Sequence, residues 1–354
     1  MAVPFQPSGA WTALITPFEP QGRLDREAYR RLIEFQLAQG IDGLVPAGTT
    51  GESPTLTWDE HNEIIEAAVQ AAAGKTPVLA GTGSNSTDEA VAATKHAREA
   101  GASAVLLVDC YYNKPSSLEL RVEYYERVLT WVPEIPIVPY IIPGRSVSAL
   151  AAADLAILHR GHPKRVPAVK EATGDLERMK EDRALAGPGL AILSGDDPLT
   201  LDMMREPGIA AAGVISVMTN LFPAPVRAMV AAQREGRAAE AQACAKKLAP
   251  VFDLVVCGVK NERKLPDGRS IDVQDKFPNP VPVKTMMAGL GLPAGSCRPP
   301  LGRMTAPAVE RCRQALREVY AAAPEFFKPL EETFGVHAGD RLRDDAAWKA
   351  LARA

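Results

Sequence analysis

Val166-Pro167-Ala168-Val169-Lys170-Glu171-Ala172-Thr173-Gly174 is the stretch whose reading decides the fold. A short apolar run ends in a lysine, and Thr173, Gly174 and Asp175 follow at once as turn and helix-starting residues, so a strand hands over directly to a helix. Lys170 then stands at the carboxyl end of a buried strand. In alternating β/α proteins that is the end where loops converge on a pocket. Two readings are open. The ammonium of a strand-end lysine can snorkel to water, or the amine can be held among apolar neighbours, lose its proton and attack a carbonyl carbon. For a lysine of ordinary pKa, about 10.4, the neutral form costs roughly 4.6 kcal/mol at pH 7, so the second reading demands desolvation.

Outward from this strand, apolar runs alternate with helical patterns between residue 10 and about residue 235. Strands are expected over 11–15, 43–46, 77–80, 104–108, 135–140, 166–170, 190–193 and 213–216. Helices between them have recognisable ends: Asp25 opens one that stops at Gly40, Thr57-x-x-Glu60 is a capping box before one that stops at Gly74, and Ser86-x-x-Glu89 opens one that stops at Gly101. Eight such units predict an α/β fold, a (β/α)8 TIM barrel with a C-terminal helical region. The rival, an open doubly wound sheet, lacks its G-x-G-x-x-G at the first β-α turn. Beyond the barrel, helices are expected over 223–235, 238–256, 283–290 and 306–322 with no strand among them, and the polar, turn-rich 261–275 reads as an exposed loop. The tail is charged, with Phe326, Phe327, Phe334 and Trp348 as its large anchors, and is either a docked arm or a mobile end. The expected division is a catalytic barrel over 1–235, a helical domain over 236–323 containing the 261–275 loop, and an extension over 324–354.

Composition bounds the function. The 354 residues carry 40 basic and 43 acidic side chains, interspersed, for a net charge of -3. That is no footprint for nucleic acid and no polybasic membrane patch, so the expected partner is a small molecule. The cysteines Cys110, Cys244, Cys257, Cys297 and Cys312 are odd in number and free of C-x-x-C spacing, which argues against a disulfide framework or a zinc site and for a reducing cytoplasm. The start of the chain has no basic and apolar leader pattern, and no apolar run is long enough to span a bilayer.

In a barrel, the residues to weigh lie just past each strand's carboxyl end. Gly48-Thr49-Thr50-Gly51-Glu52 is either a plain turn or an anion-binding loop, whose glycines let backbone N-H groups approach while the hydroxyls donate. Tyr111-Tyr112-Asn113-Lys114-Pro115 follows the fourth strand, and aromatic packing at an interface explains at least one of its tyrosines. Tyr140 and, on a Pro143-Gly144 turn, Arg145 follow the fifth; an arginine on a loop is either solvated or a bidentate carboxylate clamp. Ser194-Gly195-Asp196-Asp197 follows the seventh, its aspartates read most simply as a helix N-cap.

Together with Gly213-Val214-Ile215-Ser216 and the Lys170 stretch, these motifs in this order resemble the dihydrodipicolinate synthase family over roughly residues 10 to 322. The resemblance implies a pyruvate-dependent class I aldolase-type lyase that needs no cofactor beyond a covalent Schiff base on lysine, and no metal. It implies Lys170 as the Schiff-base lysine, a proton relay of Thr49, Tyr140 and Tyr112 (the last lent by a neighbouring subunit), Thr50 for the pyruvate carboxylate, Arg145 for the carboxylate of L-aspartate semialdehyde, and Ile215 and Gly195 beside the lysine. It implies a homo-oligomer, a dimer of dimers, and an L-lysine effector pocket at Ser53, Trp58, His61, Asn85, Glu89 and Tyr111. Capping and surface polarity would by themselves explain Asn85 and Glu89. Ile141 departs from the asparagine common in the family. Within the superfamily the alternatives are a sialate lyase or a 2-keto-3-deoxy sugar acid aldolase; in another class, a silent relative that only binds a keto acid or amino acid.

Overall fold

Eight short apolar runs pair edge to edge as parallel strands in the computed structural model, which describes residues 5–353. They are β1 (Gly9–Ala13), β2 (Gly43–Val45), β3 (Leu79–Gly81), β4 (Ala104–Val108), β5 (Ile137–Ile141), β6 (Ala168–Glu171), β7 (Ala191–Ser194) and β8 (Gly213–Ser216). The order is β2-β1-β8-β7-β6-β5-β4-β3, and a parallel bridge from Leu44 to Val78 brings β2 to β3 and closes the ring. The architecture is the expected (β/α)8 barrel. Strand alternation divides the core in two. Trp11, Leu79, Leu106, Val138, Leu193 and Ile215 fill the barrel, while Leu107, Val169, Ile192 and Val214 face the helices outside. Trp11 is admitted only because residue 43 is glycine: a Cβ there would come within 2.0 Å of the indole.

The helix ends follow their sequence signals. Asp25 accepts from the Ala28 N-H at 3.0 Å to open α1 (Arg26–Ala38), and Thr57 and Glu60 cap α2 (Trp58–Ala72) reciprocally. Ser86 accepts from the Glu89 N-H to start α3 (Thr87–Ala100), and Gly101 ends it with φ +96°.

Two expectations for the remainder are corrected. Residues 261–275 are not a loop but most of a hairpin: β9 (Cys257–Lys264) pairs antiparallel with β10 (Ser270–Phe277) in unbroken register from Cys257 opposite Phe277 to Lys264 opposite Ser270. The strands are solvated on both faces along most of their length, so they lack the apolar alternation that announces a strand, and cross-strand pairs such as Lys260 with Asp272 (2.6 Å) replace it. The preceding helix accordingly stops at Phe252, short of 256.

The tail is a docked arm. Phe327 and Trp348 are buried, and Phe334 lies 5.4 Å from Phe35 of α1. Trp348 covers Gly289, the last residue of the helix Val281–Gly289, and Arg341 donates to the terminal carbonyls of Gly289 (3.0 Å) and Ala288 (3.3 Å) at that helix end. Trp348→Ala is expected to lower unfolding free energy by about 3–5 kcal/mol. Urea denaturation measures it, and an unchanged midpoint would mean that the arm adds nothing to stability.

Candidate active site

The carboxyl ends of β2 to β5 surround a cavity of about 210 Å³, lined among others by Thr49, Ser53, Gly81, Tyr111, Tyr140 and Arg145. Thr49 and Thr50 sit on a tight loop closed by bonds from the Gly51 and Ser53 N-H groups to the Gly48 carbonyl, at 3.1 and 3.3 Å. The loop ends in Glu52, a non-glycine residue at φ +57°. That costly conformation is held from outside. Glu52 Oε1 accepts from Lys284 Nζ at 2.7 Å and Oε2 from the Arg298 N-H at 2.9 Å, with the two side chains at most 2% exposed.

Register sets Tyr140 of β5 opposite Lys170 of β6. Lys170 is 6% exposed, and its Nζ lies 4.1 Å from the centre of the Tyr140 ring, which itself lines the cavity. Among the described residues no carboxylate forms an ion pair with it, in contrast to Lys284. Gly195 leaves room for its stem: a Cβ there would meet Lys170 Cε at 3.1 Å and Ala172 Cβ at 2.6 Å. Burial raises the Asp196 carboxyl above its ordinary range, with the Lys170 charge acting the other way. Asp197 is not the N-cap expected of it; that position is Leu199, without a side-chain cap. Asp197 instead accepts from the Ser216 hydroxyl and from the Val217 and Met218 N-H groups (3.0 and 3.3 Å), fixing the turn after β8 next to buried Ile215.

Asn85 Oδ1 accepts from the Tyr111 N-H at 2.6 Å, which turns Tyr111 to the cavity. Burial and then the nearby Glu89 charge raise the Tyr111 phenol above its ordinary value. Tyr112 behaves differently. It is 86% exposed at φ +71° and does not line its own cavity. Arg145, on the short helix Pro143–Ser146, does line it, and its Nη2 donates to the Asn279 carbonyl at 3.1 Å. Ser53, Asn85, Glu89 and Tyr111 thus gather near the ends of β2 to β4. His61 is buried beneath the half-exposed Trp58, 5.0 Å between ring centres, and burial lowers its pKa to about 4. Sequence reasoning missed Asn279, whose Nδ2 donates to Thr50 Oγ1 at 2.9 Å across 229 residues, and the Glu52–Lys284 pair. Neither has a local signal.

A (β/α)8 barrel whose mouth holds a buried amine and convergent hydroxyls is a lyase of the class I aldolase kind. The chain belongs to the dihydrodipicolinate synthetase family, whose model matches residues 6–319. It is 42% identical over 293 residues to the 4-hydroxy-tetrahydrodipicolinate synthase of Bartonella bacilliformis, covering 83% of this chain and 91% of that one. The solved 4-hydroxy-tetrahydrodipicolinate synthase of Methylacidiphilum fumariolicum SolV matches with TM-score 0.79 at 35% identity, over 93% of this chain and 100% of that one. A dihydrodipicolinate synthase of Cyanidioschyzon merolae solved with lysine bound matches with TM-score 0.78 at 32% identity, over 88% and 98%. The docked arm lies beyond the matched residues.

On the outer face of β6, Glu171 is fully buried, as is Asp182, and both face the single Arg178 guanidinium at 3.5 and 3.7 Å. Asp109, bonded by the Tyr125 hydroxyl and the Leu150 N-H, lies close enough for its charge to act on Glu171. Three buried carboxylates around one cation cannot all be ionised cheaply. Burial, then Glu171, push Asp182 up to about 8, and burial pushes Asp109 up to about 7. A raised folded-state pKa means that the folded protein holds a proton the unfolded chain has released, so this stabilisation is complete below the ordinary carboxyl pKa and is lost as pH climbs through the folded value. Asp182→Asn, always neutral, is expected to gain stability relative to the parent as pH rises from 5 to 9. Urea midpoints across that range check it, and a difference independent of pH would contradict it.

Proposed function

We propose that this chain condenses pyruvate with L-aspartate 4-semialdehyde to give 4-hydroxy-tetrahydrodipicolinate, the first committed step toward diaminopimelate and lysine. The observation that carries the reading is Lys170: buried, without an ion-pair partner among the described residues, and against the ring of Tyr140, which shares a cavity with Thr49. Lys170 Nζ attacks the pyruvate keto carbon, and loss of water gives an imine. Removal of a methyl proton gives the enamine, whose carbon adds to the aldehyde. The substrate's own amine then displaces Lys170 as the ring closes. Protons must arrive and leave at each step, and Thr49, Tyr140 and a neighbouring copy's Tyr112 are the hydroxyls for that relay. The outward, conformationally strained Tyr112 supports an assembly of at least a dimer, most simply a dimer of dimers. Thr50 holds the pyruvate carboxylate, Arg145 the carboxylate of the aldehyde, and the Ile215 carbonyl lies beside the lysine nitrogen. A polyhydroxylated sugar acid would gain little from Arg145 at the mouth, which favours the short dicarboxylate product. No external cofactor or metal enters this scheme.

Lys170→Arg retains the charge but cannot form the imine. Turnover is expected to fall by several orders of magnitude, and borohydride with pyruvate should label Lys170 in the parent and nothing in the variant. Near-parental turnover, or a label on another lysine, sinks the assignment.

L-Lysine is the effector we infer for Ser53, Trp58, Asn85, Glu89 and Tyr111, with His61 supporting Trp58 from beneath. The lysine-bound relative supports it, and so does Glu89, an exposed carboxylate able to meet an ammonium beside Tyr111. Initial rates should fall partially with millimolar L-lysine in the parent and much less in Glu89→Ala. A flat parental curve, or identical curves, excludes the site.

A further inference from the structure

Asn279 is 6% exposed and touches the site at two points: its Nδ2 donates to Thr50 Oγ1 at 2.9 Å, and its main-chain carbonyl accepts from Arg145 Nη2 at 3.1 Å. The amide nitrogen has hydrogens to give and no lone pair to offer. In this contact the threonine oxygen must therefore accept, and its one hydrogen is left for some other acceptor. The rest of the amide has no network of its own, since Oδ1 is enclosed and has no hydrogen-bond partner among the described residues. The same segment grips the loop a second time five residues on, where Lys284 holds Glu52.

We propose that Asn279 is a positioning residue for the keto-acid substrate: it fixes the Thr50 hydroxyl as a donor and so sets the polarity of the subsite for a carboxylate. This rests on the reading that Thr50 receives the pyruvate carboxylate. A threonine free to rotate must give up that freedom to present its hydrogen to an anion; one that already accepts from an amide has its hydrogen left for the carboxylate before the substrate arrives. The main-chain bond to Arg145 does not depend on the Asn279 side chain, so the two substrates are separable by substitution.

The test uses the near-isosteric Asn279→Asp beside Asn279→Ala, with pyruvate trapping by borohydride read by mass and initial rates against each substrate. At pH 8 the carboxylate reverses the bond, takes up the Thr50 hydrogen and adds a negative charge beside the subsite. Half-maximal trapping should then need roughly tenfold more pyruvate or beyond, Asn279→Ala should lie between it and the parent, and the dependence on aldehyde should change little. Lowering the pH toward the titration of the introduced carboxyl should restore pyruvate binding in Asn279→Asp alone, because the protonated acid donates again. In Thr50→Val, Asn279→Ala should add little further loss. Unchanged pyruvate binding in Asn279→Asp would mean that Oδ1 faces Thr50 and would overturn the proposal, as would equal losses for both substrates. If the parent itself is not labelled on Lys170, the reading of the site fails. If it is labelled and the Asn279 variants bind pyruvate normally, only this inference fails. Should Asn279→Ala not fold, the pH rescue of Asn279→Asp decides.

Discussion

The buried pair between Glu52 and Lys284 is the constraint on which the mouth of the barrel depends. An ion pair enclosed on all sides gains little net stability, because desolvation offsets most of the attraction, but removing one partner leaves a charge with nowhere to go and costs about 3–5 kcal/mol. Such an interaction tolerates one geometry. Here it holds the loop after β2 in a left-handed turn and ties it to a helix 232 residues further along the chain. The Phe18 ring, with Lys284 Nζ 4.5 Å and the Arg298 guanidinium 4.2 Å from its centre, keeps the pair dry. The helical region after the barrel is therefore part of the active-site wall.

The two lysines of this site show how environment separates chemistry from structure. Both are buried. Lys284 donates to Glu52 and to the carbonyls of Thr16 and Ser296, so each of its three ammonium hydrogens has an acceptor. Lys170 has an aromatic face and glycine-made space beside it. The alternation of β6 then places Glu171, with its excess of carboxylates, on the other side of the strand, where helix packing separates it from the amine. One strand thus carries the lysine on its inner face and an acid cluster on its outer face.

The barrel was legible in the sequence because its β-α units announce themselves locally, by an apolar run and, in the first three, by a capping residue and a terminal glycine. The placement of the strand-end residues was legible for the same reason, since Thr49 follows its strand and Tyr140 and Lys170 stand in the last two positions of theirs. What could not be read were the partners contributed from far away. Asn279 sits in an ordinary Asn-Pro turn, and nothing near it points to Thr50. Asp197 looked like a cap because its sequence neighbour is a helix, while its bonds go to the next strand's turn. The hairpin escaped because a ribbon wet on both faces has the composition of a loop, and its Ser270-Ile271-Asp272-Val273 alternation is too short against that background. The tail's aromatic anchors were visible, but not the surfaces that receive them.

The hairpin also determines how this chain tolerates change in length. Its two strands leave the body together, Cys257 opposite Phe277, and Asn279 follows two residues later. Every residue added beyond that base is cancelled if its counterpart is added on the other strand, so the ribbon can lengthen or shorten in matched pairs without moving the asparagine. An unmatched residue within the ladder would have to be absorbed as a bulge, twisting the ribbon. The five residues of the tip, Leu265 to Arg269, close through bonds of their own at 2.8 and 2.9 Å and touch nothing the chemistry uses. They are the natural point at which to graft a peptide, an epitope or a reporter onto this enzyme.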